Sequence, residues 1–303
     1  MSGSLLEIKK KITGVKNTRK ITKAMQLVAA SKMRQFQKKA LASRSYVRDL
    51  LTVLDLSLGE GQHSIYEAER KDGKILFVLY TSDKGLCGAL NTKLIKALFN
   101  SELWQQTPEE KRVLYTIGRK SFEFARNNKI PVAKHFVGIP EKLDTLNMLK
   151  IVDKITEFWR EENCEHVYFV APHYKNSFTF YPVRKTYLPF SHDMLKQHMQ
   201  ATETVAREEW TENQKMNLVE YMLFDPNRKV VVERLHELII QALFIQAFME
   251  LKAAEYSSRM IAMQNATDSA DKITKQLTLN YNKARQAAIT QEIAELSGAS
   301  AAL

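Results

Sequence analysis

The stretch with the best placement for chemistry is Ser82-Asp83-Lys84-Gly85-Leu86-Cys87-Gly88, which follows an apolar run and opens a helical pattern. A phosphate-binding loop would sit at such a junction, because the free backbone amides of a helix start favour an anion. Its glycines are spaced neither as GxGxxG nor as GxxxxGK(S/T). The stretch therefore reads as a tight turn that packs a helix on a sheet, and a nucleotide-binding type of fold does not by itself confer nucleotide binding. Cys87 would be a nucleophile if the helix start stabilised its thiolate, but no dedicated histidine accompanies it, and a small buried thiol is the simpler reading. The seven histidines are scattered without metal-ligand spacing, and no GxSxG elbow is present. No catalytic residue, cofactor site or metal site is predicted.

The elements that position these residues fall into three segments: 1–58, 59–225 and 226–303. Residues 4–58 read as one helix, with Ile8, Ile12, Val15, Thr22, Ala29, Met33, Phe36, Ala40, Val47, Leu50 and Leu54 recurring at helical spacing. Gly14 is the one weak helix former early on, and Gly59-Glu60-Gly61 ends the run. In the last segment Asp225-Pro226 reads as cap and first helical position. The stripe Ile239, Ala242, Met249, Ala253, Tyr256, Met260, Met263, Ala270, Leu277, Tyr281, Ala284, Ala288 is a coiled-coil seam rich in small residues. Such a helix would be roughly 100 Å long, too long for a compact globule to bury. Two such helices at opposite ends of the chain most simply pair with each other, antiparallel. If Leu54 and Pro226 both lie at the base, paired positions sum to about 280. Met25 then lies within a turn of Arg259, and residues beyond Gln276 outrun the first helix.

The middle segment alternates strand and helix, the pattern of an α/β domain with a largely parallel sheet. Strands are expected at 75–81, 112–117, 132–136, 166–171 and 177–190, the last bent at Pro182, with helices at 91–99, 121–128 and 146–162. Residues 191–216 read as a polar surface excursion, and 219–224 as a returning strand. The fold class is thus a long antiparallel coiled coil of the terminal helices plus a central Rossmann-like α/β domain.

The formal net charge is +11, and its placement carries more meaning than its size. Thirteen Lys and Arg lie between Glu7 and Asp49 with no acid among them, so the remainder of the chain has no net positive charge. Such a block calls for an acidic partner, nucleic acid or a membrane surface. No apolar run approaches the ~18 residues of a membrane span. The basic N-terminus resembles a transit peptide only loosely, since its apolar spacing continues past Leu50. Two cysteines without a CxxC fit a reducing compartment.

Ile8–Arg34, IKKKITGVKNTRKITKAMQLVAASKMR, resembles the N-terminal helix of the gamma subunits of F-type ATP synthases. Tyr281–Leu303, YNKARQAAITQEIAELSGASAAL, resembles their C-terminal signature, and SDKGLCGALN is similar to a block that follows their first strand. The resemblance covers essentially the whole chain. It implies a non-catalytic rotor shaft: a coiled coil standing in a ring of three alpha and three beta subunits, with the α/β domain at its foot against the epsilon subunit and the membrane ring of c subunits. Proton-driven rotation of the c-ring would force the beta catalytic sites through different affinities in turn. The resemblance assigns rotor–stator contacts to Met25, Arg259, Arg285, Gln286, Thr290 and Glu292, and foot contacts to Tyr46 and Asp225. It gives the basic helix an acidic loop of the beta subunits as partner.

Residues 191–216 are longer than the family pattern, and Phe224-Asp225-Pro226 stands where a Tyr-Glu-Pro type of sequence is common. The chloroplast-type regulatory insert with its cysteine pair is absent. A peripheral location on the cytoplasmic face of a bacterial inner membrane is expected. The alternative is a nucleic-acid-binding protein with a basic coiled-coil arm, which the basic helix favours and the lack of interleaved aromatics opposes.

Overall fold

The computed structural model describes residues 2–57, 64–139, 145–190 and 222–301. By packing, the chain divides into two compact units, Met1–Ser31 with Arg259–Leu303, and Lys32–Ser258. The elements are α1 (Ser2–Ser57), β1 (Lys74–Tyr80), α2 (Leu90–Phe99), α3 (Glu102–Gln106), β2 (Arg112–Ile117), α4 (Arg119–Asn127), β3 (Lys134–Phe136), α5 (Thr145–Glu161), β4 (Cys164–Tyr174), β5 (Phe180–Leu188) and α6 (Arg228–Ala301).

The first unit is a pair of helix segments. In α1 the covered positions are Ile8, Ile12, Val15, Arg19, Thr22, Gln26 and Ala29, alternating steps of four and three. In α6 they are Met260, Met263, Thr267, Ala270, Thr274, Leu277, Tyr281, Ala284 and Ala288. That alternation is the 3.5-residue period of a coiled-coil seam. Three polar pairs set its direction and register. The Thr22 and Thr267 hydroxyls lie 2.8 Å apart, Gln26 Nε2 donates to Gln264 Oε1, and Arg19 pairs with Asp271. Ascending numbers on one helix meet descending numbers on the other, so the segments are antiparallel.

The expected register needs correction. These pairs sum to about 290, which sets Met25 opposite Asn265 and separates it from Arg259 by about six residues, roughly 9 Å of helix. The seam positions of α6 also remain partly covered as far as Ala288, beyond Gln276. The expectation assumed that both helices end level. Side-chain pairs, not helix ends, decide register.

The second unit is a five-stranded sheet of order β3-β2-β1-β4-β5. Its first four strands are parallel, and β5 runs antiparallel to β4. β1 is central, and Leu76 through Tyr80 are wholly buried, as a strand covered on both faces requires. Phe77 meets Trp104 of α3 edge-on, whereas Tyr80, on the other face of the strand, packs on Phe244 of α6. Residues 248–257 of α6 are buried all round, which is how a helix reads when it has neighbours on every side. Phe36 of α1 stacks on its Tyr256 with ring centroids 5.6 Å apart. In the α1 stripe the buried residue is Leu51 rather than Leu50.

Other local expectations also shift. α6 begins at Arg228, and its cap is Asn227, whose Oδ1 accepts from the Val230 amide at 3.0 Å; Asp225-Pro226 precedes it. β4 is longer than expected because β5 pairs with it over nearly its whole length. The ladder runs unbroken through Pro172 opposite Pro182, and the irregularity lies at Val167/Tyr168 instead. The five-residue helix α3, capped by Ser101 Oγ accepting from the Trp104 amide, was not foreseen. The excursion expected at 191–216 lies outside the described residues, as do 219–221 of the returning strand; residues 222–224 form no strand.

Candidate functional site

The turn after β1 is held together by its own chain. The Ser82 amide donates to Asn91 Oδ1 at 3.0 Å, and Asn91 Nδ2 donates to Ser82 Oγ at 2.8 Å and to Cys87 Sγ at 3.2 Å. The Asp83 carboxylate accepts from the Arg119 amide at the start of α4 at 2.9 Å, and from the Gly138 amide at 3.2 Å. An internal carboxylate thus sits at the start of α4, where a helix favours negative charge. Gly118 closes the junction: its φ is +94°, and a Cβ there would stand 2.1 Å from the Thr81 carbonyl oxygen. The turn has the geometry of a helix-to-sheet fastener.

Cys87 and Cys164 are both buried free thiols. Burial pushes the Cys164 thiol up to about 12, so at neutral pH it is not the thiolate that nucleophilic chemistry needs. Among the described residues, no group of three or more His, Cys, Asp and Glu could hold a metal ion.

The surface features lie mainly on the helices of the first unit. Lys9, Lys10, Lys16, Lys20 and Lys23 are exposed on α1. Of the basic residues at 9–23, Lys11 pairs with Glu7 at 2.7 Å and Arg19 pairs with Asp271. This leaves a solvated basic face beside the seam, of the kind that meets an acidic surface.

The residues singled out by resemblance occupy different settings. Met25 is half-buried beside the seam and Arg259 is buried, about six residues from the level of Met25. Arg285, Gln286, Thr290 and Glu292 are all exposed on α6. By helical period, Arg285 and Glu292 share one stripe at the flank of the seam, and Gln286 and Thr290 share another roughly 120° away on the outer face. Thr290 Oγ1 donates to the Gln286 carbonyl at 2.9 Å. Around them Ile289 and Ile293 are exposed apolar side chains. In the second unit Tyr46 is exposed on α1, and Asp225 is exposed just before α6. The four residues near the end of α6 are thus split between two stripes of one helix, and Met25 and Arg259 do not meet.

Two groups escaped the sequence reading. One is the polar ladder Arg19–Asp271, Thr22–Thr267 and Gln26–Gln264; its signal was polar residues standing at seam spacing on both helices. The other is the buried Glu250, which links α1, β4 and α6 through Arg44 Nε at 2.9 Å and the Tyr174 amide at 3.1 Å. A lone glutamate in an apolar helical stretch carried no sign of its partners.

The family model described as ATP synthase matches residues 4–303. The "ATP synthase gamma chain" of Methylobacillus flagellatus is 32% identical over 306 residues, covering 100% of both chains. That of Pelotomaculum thermopropionicum is 33% identical over 99% of each chain. Among solved structures, the fold is similar to a chain of the Euglena gracilis mitochondrial ATP synthase rotor, at a TM-score of 0.63 and 20% identity, over 95% of this chain and 100% of that one. It is also similar to a chain of the Tetrahymena thermophila mitochondrial ATP synthase central stalk and c-ring, at a TM-score of 0.56 and 22% identity, over 81% of this chain and 99% of that one.

Proposed function

This chain belongs to the gamma-chain family of ATP synthases, and from that premise we propose that it is the central rotor stalk of such an enzyme, carrying c-ring rotation to the beta catalytic sites. The observation that carries the reading is a family match over residues 4–303 joined to an antiparallel helix pair whose two strands come from opposite ends of the chain. The chain is a non-catalytic subunit of the complex. The alternative, a nucleic-acid-binding arm, finds no support in the relatives.

The paired helix segments form the shaft and the sheet domain forms the foot. A shaft that transmits torque needs stiffness, which uninterrupted helices wound on each other supply. The polar pairs between Arg19 and Asp271 resist sliding of one helix along the other, because a slip would leave partly buried polar groups unpaired. The partners are the alpha and beta subunits around the shaft, and the epsilon subunit and the c-ring at the foot. The exposed lysines of α1 face an acidic loop of the beta subunits. Individually weak exposed ion pairs suit an interface that must slide.

Met25 and Arg259 contact the beta subunits from two different levels of the shaft. Arg285, Gln286, Thr290 and Glu292 form a polar set near the end of α6 that meets the upper sleeve of the ring, with Ile289 and Ile293 as apolar bearing surface. Tyr46 and Asp225 serve the foot contacts. The complex is membrane-associated, and among the described residues no helix of this chain is long and apolar enough to cross a membrane. The bacterial sources of the relatives favour the cytoplasmic face of a bacterial inner membrane as its location.

The test is to tag the chain in its host, solubilise gently and identify what copurifies. Alpha, beta, epsilon and c subunits in one ATP-hydrolysing complex are expected. Recovery without alpha and beta, or with nucleic acid instead, overturns the assignment.

A further inference from the structure

The second unit contains a cavity of about 40 Å³ between the β4–β5 pair and α6. Its apolar wall includes Phe169, Val183, Tyr187 and Leu243, and three polar side chains reach it: Lys185, Gln246 and Glu250. A space of that size holds about three waters.

The polar groups there are unequally satisfied. On Glu250, Oε1 accepts from Arg44 Nε at 2.9 Å and from Gln246 Nε2 at 3.0 Å. Its Oε2 accepts from the Tyr174 amide at 3.1 Å and lies 3.2 Å from His173 Nδ1. Three hydrogen bonds thus reach the carboxylate, and none of them comes from Lys185. Among the described residues the Lys185 ammonium has no hydrogen-bond partner, and burial pulls its pKa down despite the attraction of Glu250. Gln246 is 6% exposed, and its Oε1 is buried without a partner. Arg44 and Lys185 face one carboxylate, so the cluster holds one positive charge in excess. Lys185 is half-buried and shares the one carboxylate with Arg44, and the orphaned amide oxygen of Gln246 is costly; one ligand could satisfy both.

We propose that this cavity binds a small oxyanion that also carries a hydroxyl, with dihydrogen phosphate, of charge −1, as the type. Its charged oxygens accept from the Lys185 ammonium, and its hydroxyl donates to Gln246 Oε1. The bound ion neutralises the excess charge and ties β5 to α6. A fully deprotonated oxyanion such as sulfate satisfies the lysine but presents only acceptors to Gln246 Oε1, so it binds more weakly. The site is independent of the rotor assignment.

The test uses the full-length chain, titrated by calorimetry with inorganic phosphate and separately with sulfate, at constant ionic strength and neutral pH. Saturable phosphate binding, at least about tenfold tighter than sulfate, is expected. Lys185→Met keeps the stem and removes the charge, and it should weaken phosphate binding by about tenfold or more. Gln246→Met should bring phosphate down to the level of sulfate. Circular dichroism establishes that each variant is folded before it is titrated. Because the basic face of α1 could also attract anions, binding that survives Lys185→Met overturns the proposal. The absence of saturable phosphate binding, or equal affinity for sulfate and phosphate in the unaltered chain, overturns it as well.

Discussion

Replacing Glu250 by glutamine tests how the second unit holds α1, β4 and α6 together. The substitution keeps the shape and removes the charge. Its side chain is 4% exposed and that of Arg44 is 12% exposed, so neither charge can turn to solvent without moving the backbone. Burial alone would raise the Glu250 carboxyl, but hydrogen bonds from His173 and Arg44 and the charges of Arg44 and Lys185 outweigh it, holding the group well below the usual carboxylate range. Glu250→Gln leaves the Arg44 guanidinium buried with an uncharged acceptor and Lys185 with no counter-charge nearby. Removing one partner of a buried pair costs about 3–5 kcal/mol. In a unit of this size that lowers the melting temperature by roughly 2–4 °C for each kcal/mol.

The pH dependence carries the sign. A depressed carboxyl contributes stability that is fully present above the unfolded value of about 4.3 and is lost as pH falls toward the folded value. The difference between wild type and Glu250→Gln should therefore be largest near neutrality and shrink below about pH 4.3. Urea unfolding of the full-length chain at several pH values, followed by circular dichroism, measures it. A difference under about 1 kcal/mol at neutral pH, or one that stays constant down to pH 3, would refute the reasoning.

Three further outcomes are expected. Under mild oxidation, Thr22→Cys with Thr267→Cys should cross-link within one chain, since the two hydroxyls already touch at 2.8 Å, whereas Met25→Cys with Arg259→Cys should not; the reverse pattern on non-reducing gels would restore the shorter register. Met25→Lys adds a cation beside the seam and should lower ions pumped per ATP hydrolysed in membrane vesicles while leaving assembly intact, so unchanged coupling removes Met25 from the rotor–stator contacts. Deleting residues 291–303 removes Glu292 and Ile293 while keeping the polar pairs of the seam. The complex should assemble with lower turnover per complex and a lower dissociation temperature, and if neither changes, that part of α6 is no bearing.

The α/β alternation was legible because burial leaves a local signature. A short apolar run such as ILFVLYT, rich in β-formers, suits a strand covered on both faces, and β1 occupies the centre of the sheet. The apolar part of the α1 seam was legible except at Leu50 for Leu51, where the apolar spacing does not distinguish adjacent leucines, whereas its polar members Arg19 and Gln26 were missed. The cap of α6 was misread because Asp225-Pro226 and Asn227 are both good helix starts, and only the observed bond from the Val230 amide to Asn227 Oδ1 chooses between them. The candidate contacts on α6 were found through resemblance rather than through any physical signal, since exposed polar residues on a helix look alike.

Composition and periodicity by themselves determined that two long helices at the chain ends flank an α/β domain, that the basic charge is confined to the first helix, and that the turn at 82–88 lacks a phosphate loop's glycines. These are properties of residue type and spacing along one stretch of chain. The tertiary structure alone decided the register of Thr22 on Thr267, the union of Arg44, His173, Tyr174, Gln246 and Glu250, and the leftover charge of Lys185. Each depends on residues far apart in sequence meeting at a definite height. The energy of a buried polar group is set by which partners it finds there. Spacing along a helix says which residues face inward, but not what they will face.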